Sequence, residues 1–480
     1  MESERNLNNC GGCCPLVVVP SPQSVQNLIK ETTLMNTHAV AMLALASTVG
    51  TAMAADNPAG DTEVAELRAL VSDLKSQVDT LKAQTDDNWL TEARATEIRG
   101  LVQDVLADAD TRASLLQSGA VAGYDKNFFI GSADGNYMLK VAGQMQVRGV
   151  YNWQDDEGSA DTNRSGFENR RTKLRFFGHV VDPSWQYLVL GAFERDGGSL
   201  VLDEAYITKD LGNGSKLRFG QFKTPFLREE LVSSSRQMAV ERSLVNEEFN
   251  QDRSQGIEYS YQADRWRLAA AFTDGFFPGG NGTDNTGWQN EDTEYAFTGR
   301  FEFMVVGDDW KLFDDFQGWT GGENGIMLGA AAHYQVGEYG TATTGEVESL
   351  NLTADVSAKF DRFGLFAAIV YRNLDSDDAA TDVDQLGIVL QGGFFLTEDW
   401  ELFGRYEWGD SDIDGDEDLS IITVGVNKYW NKHNLKWQND IGFGLDEVSS
   451  TWSTSSAGWR TDPTDSDGQV VIRSQVQLLF

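Results

Sequence analysis

After Cys14 the chain contains no cysteine, and the three it has, Cys10, Cys13 and Cys14, lie within its first fourteen residues. A disulfide framework for the bulk of the chain is therefore excluded. Histidine is as scarce, at 4 in 480 residues, so little material exists for metal or acid–base sites. Proline, at 8, leaves long stretches free to form regular structure. Basic residues are outnumbered: 38 Lys and Arg face 74 Asp and Glu, for a net charge of −36. A nucleic-acid binder needs the opposite balance. Beyond residue 60 no run approaches the roughly 20 apolar residues of a spanning helix. Any membrane crossing must be made by another element.

What is present begins with processing signals. The segment MNTHAVAMLALASTVGTAMA starts at Met35, carries an apolar core from Ala39 to Val49 and ends in Ala52-Met53-Ala54, an A-x-A cleavage pattern. Residues 35–54 are read as an export signal, with His38 as the only polar charge candidate ahead of the core. Residues 1–34 are read as an over-extended start. They hold all three cysteines, so a mature chain from Ala55 has none, and the C-G-G-C-C run lacks a nearby histidine to complete a metal site. In 61–118, Val64, Leu67, Val71, Leu74, Val78 and Leu81 recur at alternating spacings of three and four. Arg68, Lys75 and Lys82 flank this seam of a short coiled coil. A second helical stripe, Ile98, Leu101, Val102, Val105 and Leu106, follows. The heptads predict self-association and leave dimer against trimer open.

From Tyr137 the period falls to two. Leu139, Val141, Met145, Val147 and Tyr151 face one way, and Lys140, Gln144, Gln146 and Arg148 the other. Sixteen such segments begin near residues 137, 170, 185, 201, 216, 255, 266, 294, 325, 349, 363, 384, 400, 419, 435 and 469. The links after odd-numbered segments run long and polar (154–169, 225–254, 275–293, 446–468), while those after even-numbered ones are mostly tight, with 307–324 the exception. Trp185, Trp266, Phe363 and Trp400 each open a strand just after a short turn. Long links at one end, tight turns and aromatics at the other, predict a 16-stranded antiparallel outer-membrane β-barrel over 137–480. A soluble sandwich would alternate as well, but would not sort its links and tryptophans to one end. In the last strand Val470, Ile472, Val476, Leu478 and Phe480 are assigned to lipid and Arg473, Gln475 and Gln477 to the interior, and this strand must pair with the first to leave no open edge. A C-terminal phenylalanine there resembles the signal read by the outer-membrane insertion machinery, which assigns that role to Phe480.

Four segments in order, RRTKLRFFGHV (170–180), LDEAYI (202–207), GQFKTPF (220–226) and ERSLVNEEFNQDRSQGIEYS (241–260), resemble the phosphate-selective porin O and P family over about 137–480. The resemblance implies a trimeric barrel whose third long loop, 224–254, folds into the lumen and narrows it. The helical region 61–118 lies outside the resemblance and is read as a periplasmic extension. Strand parity assigns to the pore wall the basic residues Arg148, Arg171, Lys173, Arg175, Lys216, Arg218, Arg267, Arg300, Arg405 and Arg473. The constriction loop carries Arg228, Arg236 and Arg242 with Glu229, Glu230 and Glu241. Family analogy places Lys223 at the constriction entrance. Parity counted from Leu217 and Phe219 points it outward, so Gly220 or a bulge must reverse the face for the analogy to hold. Asp203 is ambiguous in the same way. The run DSDIDGDED offers Asp410, Asp412 and Asp414 at calcium-loop spacing, although the twelfth place is Ile421 instead of a bidentate glutamate.

These readings predict a passive diffusion porin for small hydrophilic solutes, biased toward anions such as phosphate. Its partners would be outer-membrane lipid and two further copies, with no resident cofactor other than a possible Ca2+. Two other readings fit parts of the sequence. One is a barrel that mainly anchors a coiled coil tethering outer membrane to cell wall. The other is an outer-membrane hydrolase, against which stands the absence of G-x-S-x-G, H-E-x-x-H and P-loop patterns.

Overall fold

The computed structural model describes residues 72, 73, 75, 76, 119–155, 163–276, 293–337, 346–376, 382–462 and 468–480. The export signal, the cysteines and the coiled-coil seam lie outside them, except that Ser72, Asp73, Lys75 and Ser76 are helical and exposed.

Two short strands, β1 (Ala120–Asp125) and β2 (Asn127–Ser132), precede sixteen longer ones. These are β3 (Met138–Trp153), β4 (Arg164–His179), β5 (Trp185–Phe193), β6 (Leu200–Gly212), β7 (Ser215–Lys223), β8 (Arg253–Gln262), β9 (Trp266–Thr273) and β10 (Thr293–Val306), followed by β11 (Gly325–Gly337), β12 (Val347–Phe360), β13 (Phe363–Ser376), β14 (Val383–Phe395), β15 (Trp400–Asp410), β16 (Leu419–Asn431), β17 (Leu435–Gly444) and β18 (Val470–Leu479). Each of β3–β18 pairs antiparallel with the next, and β18 returns to β3 from Val470 opposite Trp153 to Leu479 opposite Gln144. The barrel is closed and has sixteen strands.

The two-residue rhythm sets its faces. On β18, Val471, Arg473, Gln475 and Gln477 are buried, while Ile472, Val476 and Leu478 are exposed to the outside. At the seam Gly143 N–H donates to the Phe480 carbonyl (2.8 Å) and Phe480 N–H to the Gly143 carbonyl (3.1 Å). The Phe480 ring lies over Gly143, where a Cβ would come within 2.2 Å of it. The glycine thus lets the ring cover bare backbone on the lipid side.

The β1–β2 hairpin has no counterpart in the sequence reading. Its strands are six residues each and turn at Lys126, which takes φ 59 where turn chemistry favours Gly or Asn. Phe128–Gly131 pairs with Met138–Val141 of β3, just past the end of the β18 ladder, so the hairpin continues the seam.

The third long link enters the barrel. It contains helical turns α1 (Arg228–Leu231) and α2 (Leu244–Phe249), the second capped by Ser243, whose Oγ accepts from Asn246 N–H at 2.9 Å. Phe226, Met238, Leu244, Val245 and Phe249 pack on inward-facing Phe366, Val370, Val389, Phe403 and Ile421. Trp452 and Trp459, from the link after β17, join the same cluster. Link 307–324 also turns inward: Phe316 packs against Phe366 in a tilted arrangement, with ring centroids 4.7 Å apart, and Asp315 pairs with Lys359 and lies 3.0 Å from His433 Nε2. One side of the lumen, along β13–β16, is therefore filled with apolar side chains. The open space lies between the loop and β4–β10.

Candidate functional site

The four segments that carry the family resemblance converge on one network of charges beside this open space. On β4 a bulge sets Gln146 opposite Arg171 and Val147 opposite Asn169, leaving Arg170 as the extra residue. Both arginines then reach Glu241 of the loop, Arg170 through Nε at 2.8 Å and Arg171 through Nη2 at 2.7 Å. Arg148 adds a third guanidinium at 2.6 Å. Burial alone raises the Glu241 pKa, but Arg170, Arg171 and Arg148 outweigh it and hold the carboxyl well below its usual range.

A second bulge, on β6, places Leu190 opposite Glu204 and Gly191 opposite Leu202. Asp203 is the extra residue and turns inward to Lys173 and, at 3.2 Å, to Arg253. On β7, Gly220 adopts φ 126, and a Cβ there would stand 2.2 Å from the Ala205 carbonyl oxygen. Beyond it Lys223 points into the lumen, its Nζ 2.7 Å from Glu230 Oε1. The reversal that parity required is present. Arg242 Nε holds the other Glu230 oxygen at 3.2 Å. For Glu230, burial again pushes upward, and Arg242 and Lys223 more than offset it, so the pKa is lowered.

The remaining predicted residues divide by what covers them. Arg148, Arg405 and Arg473 face inward but are 1%, 3% and 1% exposed, because folded loops lie on them. Arg405 donates to the Glu241 carbonyl (2.8 Å) and pairs with Glu407 (2.7 Å). Arg473 donates to the Ala457 carbonyl (2.8 Å) and pairs with Asp440 (2.7 Å). These three anchor loops and do not meet solute. Parity located their face, but could not foresee the loops above it.

Within the loop, Glu229 accepts from Ser243 N–H (2.9 Å) and Oγ (2.6 Å). Arg228 donates to the Phe313 carbonyl, and Arg236 pairs with Asp314 at 2.9 Å, which ties the constriction loop to link 307–324. Along the open side Arg218 pairs with Glu258 (3.1 Å), Arg267 with Glu302, and Arg300 with both Glu302 (2.9 Å) and Asp355 (2.8 Å). Arg175 and Lys216 differ: among the described residues neither forms an ion pair, and Arg175 instead lies 4.9 Å from the Phe177 ring centroid. They border a cavity of ≈ 1300 Å³ together with Lys126 from the hairpin. A second cavity, ≈ 390 Å³, is bordered by Arg170, Arg171, Arg242, Arg253, Arg372 and Glu247. Arg170 escaped the sequence reading because alternation assigns neighbours to opposite faces; the adjacent Arg-Arg pair was the available hint of a bulge.

Within the acidic run, side chains accept from backbone N–H groups nearby and on β14. Asp410 Oδ1 accepts from Asp412 N–H (2.9 Å) and Asp412 Oδ2 from Asp384 N–H (2.8 Å), with Asp414 in the exposed link beyond. Among the described residues no group of three or more His, Cys, Asp or Glu side chains is placed to hold a metal ion.

The chain is 26% identical over 351 residues to an uncharacterised protein of Aquifex aeolicus, covering 64% of this chain and 82% of that protein. In fold it is similar to an anion-selective porin from Comamonas acidovorans, with a TM-score of 0.50 at 13% identity, covering 71% of this chain and 99% of that one. In vitro folded OmpT of Vibrio cholerae gives a TM-score of 0.49 at 12% identity over 71% and 98% of the respective chains. The model of the family described as phosphate-selective porin O and P matches residues 140–441, well over half of the chain. A closed sixteen-stranded barrel, a loop folded into its lumen and this match together make the chain an outer-membrane porin that belongs to the phosphate-selective porin O and P family.

Proposed function

We propose that this porin passes small hydrophilic solutes passively and favours anions. The observation that carries the reading is where charge is left uncompensated. The cations of the loop network are matched by carboxylates, so their long-range field largely cancels. Lys126, Arg175 and Lys216 border the open cavity without an ion-pair partner among the described residues. Unmatched positive charge in a narrow aqueous path raises the local concentration of anions, and weak, exchangeable contacts let them leave. The Comamonas porin with the similar fold is itself described as anion-selective, which is consistent.

The test is the reversal potential of purified protein in a planar bilayer under a salt gradient. Anion preference supports the reading, and cation preference removes the selectivity while keeping the pore. Absence of conductance would favour the tether; on deleting 61–118 a pore keeps conducting, whereas a tether loses its role.

A homotrimer is part of the proposal. Midway along the outer surface of β17 and β18 lies a polar pair, Asn439 and Ser474, opposite each other in register and continued on β3 by Gly149; on β4, Asn169 and Thr172 also face outward, opposite Val147 and Met145. Trp437 Nε1 donates to Ser474 Oγ (2.9 Å), which donates to Asn439 Oδ1 (2.7 Å). Polar groups at hydrocarbon depth are costly against lipid tails. A second copy is the cover that relieves this cost.

A further inference from the structure

The cavity of ≈ 390 Å³ beside the constriction loop contains one loop carboxylate unlike the rest. Glu230 pairs with Lys223 and Arg242, Glu248 with Arg372, and Asp252 with Arg253. Glu247, half-buried on the open side of α2, borders the cavity yet forms no ion pair among the described residues. It is not short of cations. Arg170 and Arg171 of β4 and Arg242 of the loop act on it electrostatically, opposed by Glu241 and Glu230. Arg253 of β8, Arg372 of β13, Lys173 of β4, and Glu194 and Arg195 at the end of β5 border the same space. Its neighbours' guanidinium groups are engaged by Glu241 and Glu230, so the Glu247 carboxylate stands as an uncommitted negative charge where an entering anion would meet them.

We propose that Glu247 is a specificity-determining residue of the pore: as a carboxylate it opposes anions at the constriction, and as a neutral acid it yields that space to them. The inference rests on the anion reading above. Burial, with Glu241 next, pushes the Glu247 pKa up to about 7, against the pull of Arg242 and Arg170. Lowering pH from 8 to 6 therefore removes one negative charge from the cavity, and anion preference rises as pH falls.

The experiment measures the chloride-to-potassium permeability ratio of wild type, Glu247→Gln and Glu248→Gln in planar bilayers at pH 8, 7 and 6. Heat-modifiable gel migration confirms that each barrel is folded. In wild type the ratio should rise at least about threefold from pH 8 to 6. Glu247→Gln should hold the high ratio at every pH, while Glu248→Gln, whose native side chain is paired with Arg372, should keep the pH dependence. A wild-type ratio that stays flat, or a Glu247→Gln ratio that still climbs as wild type does, overturns the proposal and leaves the anion reading standing. The converse separates the two: a channel that prefers potassium even at pH 6, but whose ratio shifts with pH only when Glu247 is present, sinks the anion reading and supports the role of Glu247.

Discussion

Glu241 receives three guanidinium groups while 2% exposed, so it is the residue on which the constriction loop is pinned to the wall. Removing one partner of a buried, hydrogen-bonded charge cluster costs about 3–5 kcal/mol, because the cations left behind are uncompensated. Glu241→Gln should accordingly loosen the loop, exposing Arg228, Arg236 and Arg242 to trypsin in folded, detergent-solubilised protein. Cleavage no faster than in wild type would remove Glu241 from this role. The pH dependence of the pin follows from its lowered pKa. A carboxyl depressed in the folded state contributes stability above its unfolded pKa and loses it only as pH falls through the folded value. The loop should therefore be as protected at pH 5 as at pH 7. Most inward residues of the wall were legible in the sequence from alternation; Arg170, Asp203 and Lys223 were not. The partners of wall residues were not legible, because ion pairs between β4, β6, β8 and the loop depend on distances that local pattern does not encode.

At the scale of elements, bulges and one glycine decide which side chains enter the pore. Alternation places Arg170, Asp203 and Lys223 on the lipid face or leaves them undecided. An extra residue on β4, another on β6 and the positive φ of Gly220 turn all three inward. Gly220→Ala would force a Cβ toward the Ala205 carbonyl in a conformation L-residues rarely adopt. We expect a loss of about 1–3 kcal/mol, seen as a lower temperature of heat-modified migration, with single-channel conductance altered because Lys223 loses its approach to Glu230. Unchanged migration and conductance would show that β7 absorbs the side chain without strain. The inward-folded links had a readable trace of their own. Phe366, Val370, Val389, Phe403 and Ile421 occupy positions that a water-filled barrel would make polar, and that breach of the rule on β13–β16 marks where loops pack. Link 307–324, long on the side of tight turns, was the other trace.

The barrel is inverted relative to a soluble protein, with large apolar side chains outside and a wall that is polar inside except for the apolar packing along β13–β16, and it is stabilised by a closed ladder of backbone hydrogen bonds. Its exposed midband is apolar except at the seam, where the Asn439–Ser474 patch interrupts it. If a second copy covers that patch, the double substitution Asn439→Leu and Ser474→Leu should weaken the oligomer, converting a slow-migrating species to monomer on mild gels. If lipid covers it, the same substitutions should stabilise the barrel and leave the oligomeric state alone.

The amino-acid sequence by itself determined the crossing mode, the number of strands, the closure of the last strand on the first and the face of most wall residues. Each of these follows from a period of two and from link length, which are local properties of the chain. Only the tertiary structure decided which charges are spent on one another and which remain for solute. That outcome depends on where the third loop comes to rest inside the cylinder, and the loop's resting place is set by apolar packing and ion pairs between residues far apart in sequence.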